Sequence, residues 1–416
     1  MIRAFHDTHL PGLEAALPSG VESRPFEPAG ADWEQLRERI SSQADALFIR
    51  TVTRITPEAF PELESPARRL RFIASATAGT DHVDVEWLDS LGIEFAHAAG
   101  CNARAVAEYV AVCVLEWLFA SGRLRPETLR IPPGKEVFGQ WTAGVIGAGQ
   151  AGSATCRLLA DLGFEIRAYD PPRERRDPTF RSCGWDEVLA CDILSLHVPL
   201  VQDGPHPTLG MLNGEALRRT RASLVVQPSR GGTLDENALL STGIDLVCDV
   251  WENEPVFRDP TAARALIATP HIAGYSVEGK QRASRMAADA FSRFLGLQER
   301  PGDPMNASGC RPGPDPSLSG ASERFPAAGG ASGEEAPTQD TSGEEAPTQD
   351  TSGEEPPVHE PEQILHTELM RLASDPVALL RAIHPYGTYD AALRQWIGAP
   401  AERKAREFAR IRNTFP

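Results

Sequence analysis

A glycine-rich turn in the middle of the chain constrains the fold more than any other feature. Gly147, Gly149 and Gly152 follow an apolar run over residues 143–146 and precede residues 153–160, which suit a helix. In such a turn the first glycine permits the tight bend, the second admits a pyrophosphate, and the third lets helix and strand pack closely. The N–H groups of a helix N-terminus also attract anions. The turn therefore predicts a dinucleotide-binding unit in an α/β fold.

An acidic residue downstream supports this interpretation and indicates which dinucleotide binds. The apolar run 164–169 ends in Asp170, eighteen residues after the last glycine of the turn. A carboxylate there accepts hydrogen bonds from both ribose hydroxyls and repels a 2′-phosphate. Gln150 and Ala151 are placed to offer their N–H groups to the phosphates. We therefore predict NAD as the cofactor, although Arg173 lies close enough to leave NADP open.

Three polar residues follow predicted strands farther along the chain. Arg230, Glu254 and His271 each come just after an apolar run that ends in turn residues. Runs of this kind suit strands buried on both faces. Ligands of open α/β sheets bind outside the carboxyl ends of the strands. We therefore expect these three side chains to converge on one crevice as a catalytic site.

The sequence before the glycine turn predicts a second, smaller α/β unit. Its predicted strands are Met1–Phe5, Ala46–Ile49, Arg71–Ser75 and Ile93–Ala96, and its predicted helices are Trp33–Ile40 and Val85–Leu91. Asn102 is placed to cap a long helix over residues 105–120, since Asn is a favoured N-cap. A chain of 416 residues has room for two or three domains. An active site between two domains would allow closure over a substrate.

The motifs in combination resemble the D-isomer-specific 2-hydroxyacid dehydrogenases. The resemblance covers residues 1–297, with a weaker similarity near the C-terminus. Besides the glycine turn, the motifs that carry it are Thr77–Asp84, Gly100–Ala103, Ser229–Gly232, Asp249–Pro255 and Thr269–Tyr275.

The resemblance implies an α/β fold of two doubly wound parallel sheets. A flavodoxin-like substrate-binding domain would comprise residues 1–101 and 276–298, and a Rossmann NAD-binding domain residues 102–275. Residues 299–361 would form a disordered acidic linker, and residues 362–416 a small C-terminal module.

The resemblance also implies a role for each polar residue of the predicted site. His271 would be the general base that takes the hydroxyl proton as hydride leaves C2, because the unperturbed pKa of imidazole lies near neutral pH. Glu254 would hold the imidazole tautomer and stabilise the imidazolium. Arg230 would bind the substrate carboxylate through two donors.

Further positions are assigned by the same resemblance. Thr51, Thr77 and Tyr275 fall where the family binds substrate, although each threonine hydroxyl could equally cap its own turn. The residues that align with the nicotinamide end of the cofactor site are Val198, Pro228, Ser229, Asp249 and Gly274. Val198 stands where the family has threonine, so only backbone contact with the cofactor is expected there.

A polar repeat separates the catalytic part from the C-terminus. The ten residues 332–341 recur from 342 and begin again at 352. A repeat this short and polar cannot bury a core, so we predict a low-complexity linker. Residues 302–360 hold twelve acidic residues and two arginines, which account for −10 of the net charge of −17. The rest of the negative net charge is within the usual range for folded proteins, and it does not indicate a surface that binds nucleic acid.

Apolar periodicity returns after the linker, over too few residues for a core of its own. We therefore expect the module to dock on another surface. In some members of the family that the chain resembles, such a module forms a homodimer and the substrate is a phosphorylated hydroxy acid. We therefore expect a homodimer and a phosphorylated hydroxy acid here. Because the chain ends at Pro416, before further basic residues of that family, Arg50 is the nearest substitute for a phosphate ligand.

The cysteines and histidines suggest no metal site. The seven cysteines are an odd number without a C-x-x-C pair, and the histidines do not cluster at ligand spacing. The sequence shows no signal-peptide pattern and no long apolar span. We therefore predict a cytoplasmic protein with reduced thiols.

Two alternatives stay open at this point. The chain could be another D-2-hydroxyacid dehydrogenase, of the phosphoglycerate or glycerate type. It could also be a non-catalytic NAD-sensing scaffold, because a fold alone does not define function. The intact set of Arg230, Glu254 and His271 favours catalysis.

Overall fold

Two parallel β-sheets with surrounding helices form the described part of the chain, which confirms the predicted α/β fold. The computed structural model describes residues 1–28, 32–125, 127–128, 134–297, 378, 381 and 384–414. The predicted acidic linker over residues 299–361 lies outside these ranges.

The first sheet has five parallel strands. They are β1 (Ile2–Asp7), β2 (Val21–Phe26), β3 (Ala46–Ile49), β4 (Phe72–Ser75) and β5 (Glu94–His97). Their spatial order is β2-β1-β3-β4-β5, the flavodoxin-like order. The helices of this part are α1 (Leu13–Ala16), α2 (Trp33–Gln43), α3 (Val85–Ser90) and a short 3-10 helix, Pro61–Glu64.

The second sheet has six parallel strands in the order β11-β10-β9-β8-β6-β7. These strands are β6 (Thr142–Ile146), β7 (Glu165–Tyr169), β8 (Ile193–Leu196), β9 (Leu224–Gln227), β10 (Asp245–Cys248) and β11 (Ile267–Ala268). The helices between its strands are α6 (Gln150–Leu162), α7 (Pro171–Arg176), α8 (Trp185–Leu189), α9 (Gly214–Arg219), α10 (Glu236–Leu240) and α11 (Asp259–Arg264). Strand order reverses between β6 and β8, and such a switch point is where doubly wound sheets bind ligands.

Two long helices connect the sheets. Helix α4 (Ala103–Ala120) is buried over most of its length and leads, through the short α5 (Lys135–Phe138), into the second sheet. Asn102 precedes α4 as predicted, but its side chain makes no capping hydrogen bond, so its predicted capping role is wrong. Helix α12 (Val277–Phe294) returns to the first sheet. There Phe291 of α12 packs with ring centroids 5.5 Å from Phe48 and 5.2 Å from Phe72.

The two C-terminal helices pack on the second sheet of the same chain. They are α13 (Tyr386–Arg394) and α14 (Ala401–Asn413). Asp390 accepts a hydrogen bond from the N–H of Ala268 in the edge strand β11 at 2.7 Å. Leu393 and Phe408 are buried in the core of that sheet. The two described helices of the C-terminal module therefore pack on the second sheet. The homodimer and the domain boundaries stay predictions.

None of the helices in the described ranges combines the length and the apolar character that a membrane span requires.

Candidate active site

The predicted base and its carboxylate partner lie in hydrogen-bond contact. Glu254 follows β10 and His271 follows β11, so both stand at the carboxyl edge of the second sheet. Nδ1 of His271 lies 2.9 Å from both carboxylate oxygens of Glu254. Within the described residues, no group is hydrogen-bonded to Nε2 of His271. A proton on Nδ1 is thus held by Glu254, which leaves the Nε2 lone pair to accept a proton.

The backbone of His271 adopts an uncommon conformation that buried hydrogen bonds maintain. Its φ of 57° makes it the one non-glycine residue with positive φ among the described residues. Asp249 is fully buried and accepts hydrogen bonds from the N–H groups of Ile272 at 2.8 Å and Ala273 at 2.9 Å. The His271 N–H donates to the Asp249 carbonyl at 2.8 Å. Asp249 therefore holds the segment that carries the imidazole.

A second layer of hydroxyls supports Asp249. Thr269 Oγ1 donates to Asp249 Oδ1 at 2.6 Å, and Tyr109 Oη lies 2.6 Å from the same Thr269 oxygen. A threonine hydroxyl has one hydrogen, so Tyr109 is the donor in the second bond. Burial raises the pKa of both Asp249 and Tyr109. The sequence did not predict that Tyr109 and Thr269 support Asp249. Tyr109 in particular lies inside an apolar helix, where a tyrosine looks like an ordinary core residue.

Arg230 reaches from the second sheet to the loop after β4 of the first. Its Nη2 donates to Asp81 Oδ2 at 2.9 Å, and its Nη1 donates to the Ser229 carbonyl at 2.9 Å. The guanidinium passes so close to Gly79 that a Cβ there would lie 2.4 Å from Nη2. Desolvation acts to raise the pKa of Asp81, but the charge and hydrogen bond of Arg230 outweigh it and lower that pKa. The site is therefore formed by both sheets.

The predicted substrate contacts have different surroundings. Thr77 Oγ1 donates to the Gly79 carbonyl at 2.9 Å. This hydroxyl therefore caps its own turn, which was one of the two roles considered for it. Thr51 is exposed, directly after Arg50. Tyr275 is half-buried and its hydroxyl accepts a hydrogen bond from Nε of Arg412 in α14 at 2.6 Å.

Arg50 is engaged within the protein in the described structure. Its Nε and Nη2 donate to the two carboxylate oxygens of Asp7 at 2.8 and 3.1 Å. Asp7 is fully buried, so Arg50 neutralises a buried charge. The predicted substitute for a phosphate ligand is therefore already committed to an intramolecular ion pair.

The glycine turn has the shape that a dinucleotide requires. Gly147 has a φ of 91°, in the left-handed region that favours glycine. A Cβ on Gly152 would lie 1.9 Å from the Gly147 carbonyl oxygen, so only glycine fits there. A Cβ on Gly149 would project into open space, at the exposed start of α6 where Gln150 and Ala151 begin the helix. The turn thus leaves room for a phosphate beside a helix N-terminus.

Asp170 lies beside this turn because β6 and β7 are neighbours. Its Oδ2 accepts the Ala148 N–H at 2.8 Å, and its Oδ1 accepts the Arg173 N–H at 2.9 Å. The Arg173 guanidinium donates to the Ala148 carbonyl at 2.6 Å and to Ser153 at 2.7 Å. Asp170 therefore lies beside the glycine turn, and Arg173 lies against the turn itself, while the ribose contact of Asp170 stays a prediction.

The remaining predicted cofactor contacts are spread along the same edge. Val198 follows β8, and its side chain lies against Gly147. Pro228 and Ser229 follow β9 and are buried. Gly274 lies against the Asn102 side chain, where a Cβ would be 2.3 Å from Nδ2.

A family comparison agrees with this geometry. Residues 15–305 match the family model described as D-isomer specific 2-hydroxyacid dehydrogenase, catalytic domain. The chain therefore belongs to the D-isomer-specific 2-hydroxyacid dehydrogenase family, as its motifs indicate.

Within that family, the chain is similar to erythronate-4-phosphate dehydrogenases of several bacteria. It is 37% identical to that of Marinomonas sp. (strain MWYL1) over 271 residues, which cover 64% of this chain and 65% of the relative. It is 37% identical to that of Pseudomonas aeruginosa over 306 residues, covering 72% and 74%. For Bacteroides thetaiotaomicron the identity is 34% over 298 residues, covering 70% and 79%. The chain thus matches between 65% and 79% of the length of these relatives.

Solved structures share the fold. The NAD+-bound 3-phosphoglycerate dehydrogenase of Entamoeba histolytica has a TM-score of 0.56 at 22% identity, over 71% of this chain and 95% of that one. A D-lactate dehydrogenase of Treponema pallidum has a TM-score of 0.53 at 20% identity, over 71% and 98%. At these identities the likeness establishes the fold alone.

Proposed function

We propose that the chain oxidises 4-phospho-D-erythronate with NAD to 2-oxo-3-hydroxy-4-phosphobutanoate, a step in pyridoxal 5′-phosphate biosynthesis. The observation that carries this proposal is the His271–Glu254 contact, with both carboxylate oxygens 2.9 Å from Nδ1. The similarity to erythronate-4-phosphate dehydrogenases supports the choice of substrate. A homodimer formed through the C-terminal module belongs to the same proposal, and light scattering would measure it.

The base acts through the nitrogen that Glu254 does not hold. Nε2 of His271 takes the proton of the C2 hydroxyl, and the C2–O bond becomes a carbonyl as the C2 hydrogen leaves with its electron pair. Glu254 then faces an imidazolium 2.9 Å away and stabilises its charge. Arg230 binds the substrate carboxylate, because a guanidinium stays charged and offers parallel donors. Thr51, Thr77 and Tyr275 line the substrate.

The residues present fit a dinucleotide. The open space at Gly149 and the start of α6 would hold the pyrophosphate, and Asp170 the adenosine ribose. When bound, NAD accepts the hydride from C2. The nicotinamide end would be lined by Val198, Pro228, Ser229, Asp249 and Gly274, although the Asp249 carboxylate already accepts three hydrogen bonds from its own chain.

The test is the initial rate of NAD reduction by the purified chain. Substrates would be 4-phospho-D-erythronate, D-erythronate, 3-phospho-D-glycerate and D-glycerate, with a 2-oxo acid in a parallel series to reoxidise retained NADH. We expect the highest kcat/KM for 4-phospho-D-erythronate. His271→Ala and Glu254→Gln should lower kcat by about 100- to 10,000-fold while NAD still binds.

The matched control is Glu252→Gln, on the same loop and about half exposed, which should leave kcat unchanged. A preference for another of these acids would show that the chain is a D-2-hydroxyacid dehydrogenase with a different substrate. An absence of turnover with intact NAD binding would favour the scaffold alternative instead.

A further inference from the structure

Helix α13 of the C-terminal module lies along the outer edge of β11, the strand that precedes the candidate base. Strand β11 is at the edge of the second sheet and pairs with β10. The free backbone groups of an edge strand need other partners when they are buried. Ala268 is fully buried, and its N–H donates to Oδ1 of Asp390 in α13 at 2.7 Å. A side chain of the module thus stands where a further strand would pair.

One turn along α13, Arg394 binds the segment that leads into β11. Its Nε lies 2.8 and 2.9 Å from the two carboxylate oxygens of Asp390. Its Nη1 donates to the Ala262 carbonyl at 2.8 Å, and its Nη2 donates to the Ala265 carbonyl at 2.6 Å. Carbonyls at the C-terminal end of a helix such as α11 lack helical partners, and a cation is favourable there. The Asp390–Arg394 pair therefore holds the chain both before and within β11.

A second contact links α13 to the same segment through side chains. The ring of Tyr386, at the start of α13, meets the ring of Tyr109 edge-on, with the centroids 4.7 Å apart. Both tyrosines are buried. Tyr109 is the residue that donates to Thr269, which in turn donates to Asp249. The module therefore contacts the residues that support Asp249 as well as the strand.

Both contacts act on the chain next to the imidazole. Ala268 precedes His271 by three positions, and Asp249 accepts the N–H groups of Ile272 and Ala273 directly after it. The positive φ of His271 is an uncommon conformation that its surroundings must maintain. A displacement of about 1 Å at a reacting group can cost about 100-fold in rate. The position of the base thus depends on residues that α13 contacts.

We propose that Asp390, Arg394 and Tyr386 are positioning residues for the base, so that the C-terminal module is required for the full rate of proton transfer. This inference rests on the proposed function, since it assigns a support to the base of that reaction. The three side chains act through β11 and Tyr109 and need no contact with substrate or cofactor. Their removal should therefore slow the chemical step while both ligands still bind.

The test is steady-state kinetics of Asp390→Ala in the full chain, with the acid that the wild-type chain oxidises fastest. We expect kcat to fall by about 10- to 100-fold, because the base is displaced. KM for the acid and Kd for NAD should stay within about threefold of wild type, since neither ligand is touched. The number of NAD sites per chain should equal that of wild type. With a C2-deuterated acid, the isotope effect on kcat should be at least as large as in wild type, because the chemical step limits the rate.

Matched variants separate positioning from a general loss of stability. Asp390→Asn keeps an oxygen that accepts the Ala268 N–H and should recover part of the loss. Tyr386→Ala should lower kcat without raising KM. Glu407→Ala removes a carboxylate of α14 that is 17% exposed, as Asp390 is, and that also pairs with an arginine of its own helix. This control should keep kcat within about twofold of wild type, because such pairs contribute little.

Three results would overturn the inference. They are an unchanged kcat in Asp390→Ala, an equal fall of kcat in Glu407→Ala, and a fall of kcat that only matches a loss of NAD sites. If Asp390→Ala does not fold, Asp390→Asn and Tyr386→Ala carry the same test. Circular dichroism and Tm would show which variants are folded.

Hydrogen exchange keeps this inference distinguishable from the proposed function. If the wild-type chain oxidises none of the acids, the proposed function fails, but exchange measured by mass spectrometry on overlapping peptides of residues 266–275 still tests the contact. Exchange there should be at least about tenfold faster in Asp390→Ala than in wild type, and unchanged in Glu407→Ala. The faster exchange should include the N–H groups of Ile272 and Ala273. Faster exchange at Ala268 alone would show that the module does not act on the base, and would overturn the inference.

Discussion

His82 belongs to a chain of hydrogen bonds in which every proton can be assigned. Thr77 donates to the Gly79 carbonyl at 2.9 Å, so it must accept from Ser75 at 2.7 Å. Ser75 has then used its one hydrogen, and His82 Nε2 must donate to it at 2.9 Å. Burial lowers the pKa of His82 to about 4, so this buried imidazole is neutral near pH 7. The chain of bonds shapes the loop that Arg230 contacts.

The lowered pKa of His82 predicts a pH dependence of stability. Between the unfolded value of 6.5 and the folded value of about 4, the unfolded state binds more protons than the folded state. The free energy of unfolding should therefore fall as pH falls through this window, by at most about 1.4 kcal/mol per pH unit from this residue. Urea unfolding at several pH values between 4 and 7.5 would measure it in the wild-type chain and in His82→Gln.

The variant should lose this contribution, so its stability should depend less steeply on pH than that of the wild-type chain. His9→Gln changes an exposed histidine and should leave the slope within about 0.5 kcal/mol per unit of wild type. Identical slopes for His82→Gln and wild type would show that His82 does not carry the effect.

Helix α6 and the glycine turn before it show how two glycines serve different purposes within one element. At Gly152 the helix approaches the Gly147 carbonyl too closely for any side chain. At Gly149 the protein itself leaves space, and in the proposed function the NAD pyrophosphate would approach there. One glycine is required by packing within the protein, and the other faces the proposed ligand.

This difference predicts opposite outcomes for two alanine substitutions. Gly152→Ala should lower the free energy of unfolding by about 1–3 kcal/mol, because backbone must shift to admit the methyl group. Gly149→Ala should change that free energy by less than about 0.5 kcal/mol and weaken NAD binding at least about tenfold. Urea unfolding and NAD titration followed by fluorescence would measure both. Equal losses of stability would contradict the assignment.

The elements were predictable from sequence where burial is complete. Strand β3 is buried throughout and was predicted residue for residue, since its apolar run is uninterrupted. Strand β2 was missed, because Val21–Phe26 is polar and contains Pro25. It lies at the edge of its sheet, where one neighbour suffices and proline is tolerated. The pattern of apolar residues in the sequence thus indicates buried elements, and it does not reveal an element that is only partly buried.

On the scale of the whole molecule, the site depends on contacts between remote parts of the chain. Asp81 and Arg230 are 149 positions apart, and Tyr275 and Arg412 are 137 apart. The sequence predicted Arg230, because it follows a strand end in a recognisable motif. It could not predict Asp81 or Arg412 as partners, since neither lies near a strand end of the second sheet.

The contact across the two sheets predicts the effect of removing a charge. In the proposed reaction, Asp81 competes with the substrate carboxylate for Arg230 and repels it, so Asp81→Asn should lower KM about threefold at low salt. The effect should shrink at 0.5 M salt, because the Asp81 side chain is 72% exposed. Steady-state kinetics at the two salt concentrations would measure this.

Asp89→Asn makes the same change of net charge on the surface of α3 and should leave KM unaltered. A higher KM in Asp81→Asn would mean instead that Asp81 holds Arg230 in its binding orientation.

The backbone of His271 has a consequence for how this protein responds to selection. A histidine at a φ of 57° is held in a strained region, with a cost of about 1–3 kcal/mol, whereas glycine adopts it freely. The substitution that relaxes this segment is therefore the one that deletes the imidazole. A laboratory evolution experiment that selects for heat resistance alone should therefore favour glycine at this position, and the selected proteins would lack the proposed base. Selection for turnover must be maintained to keep this histidine.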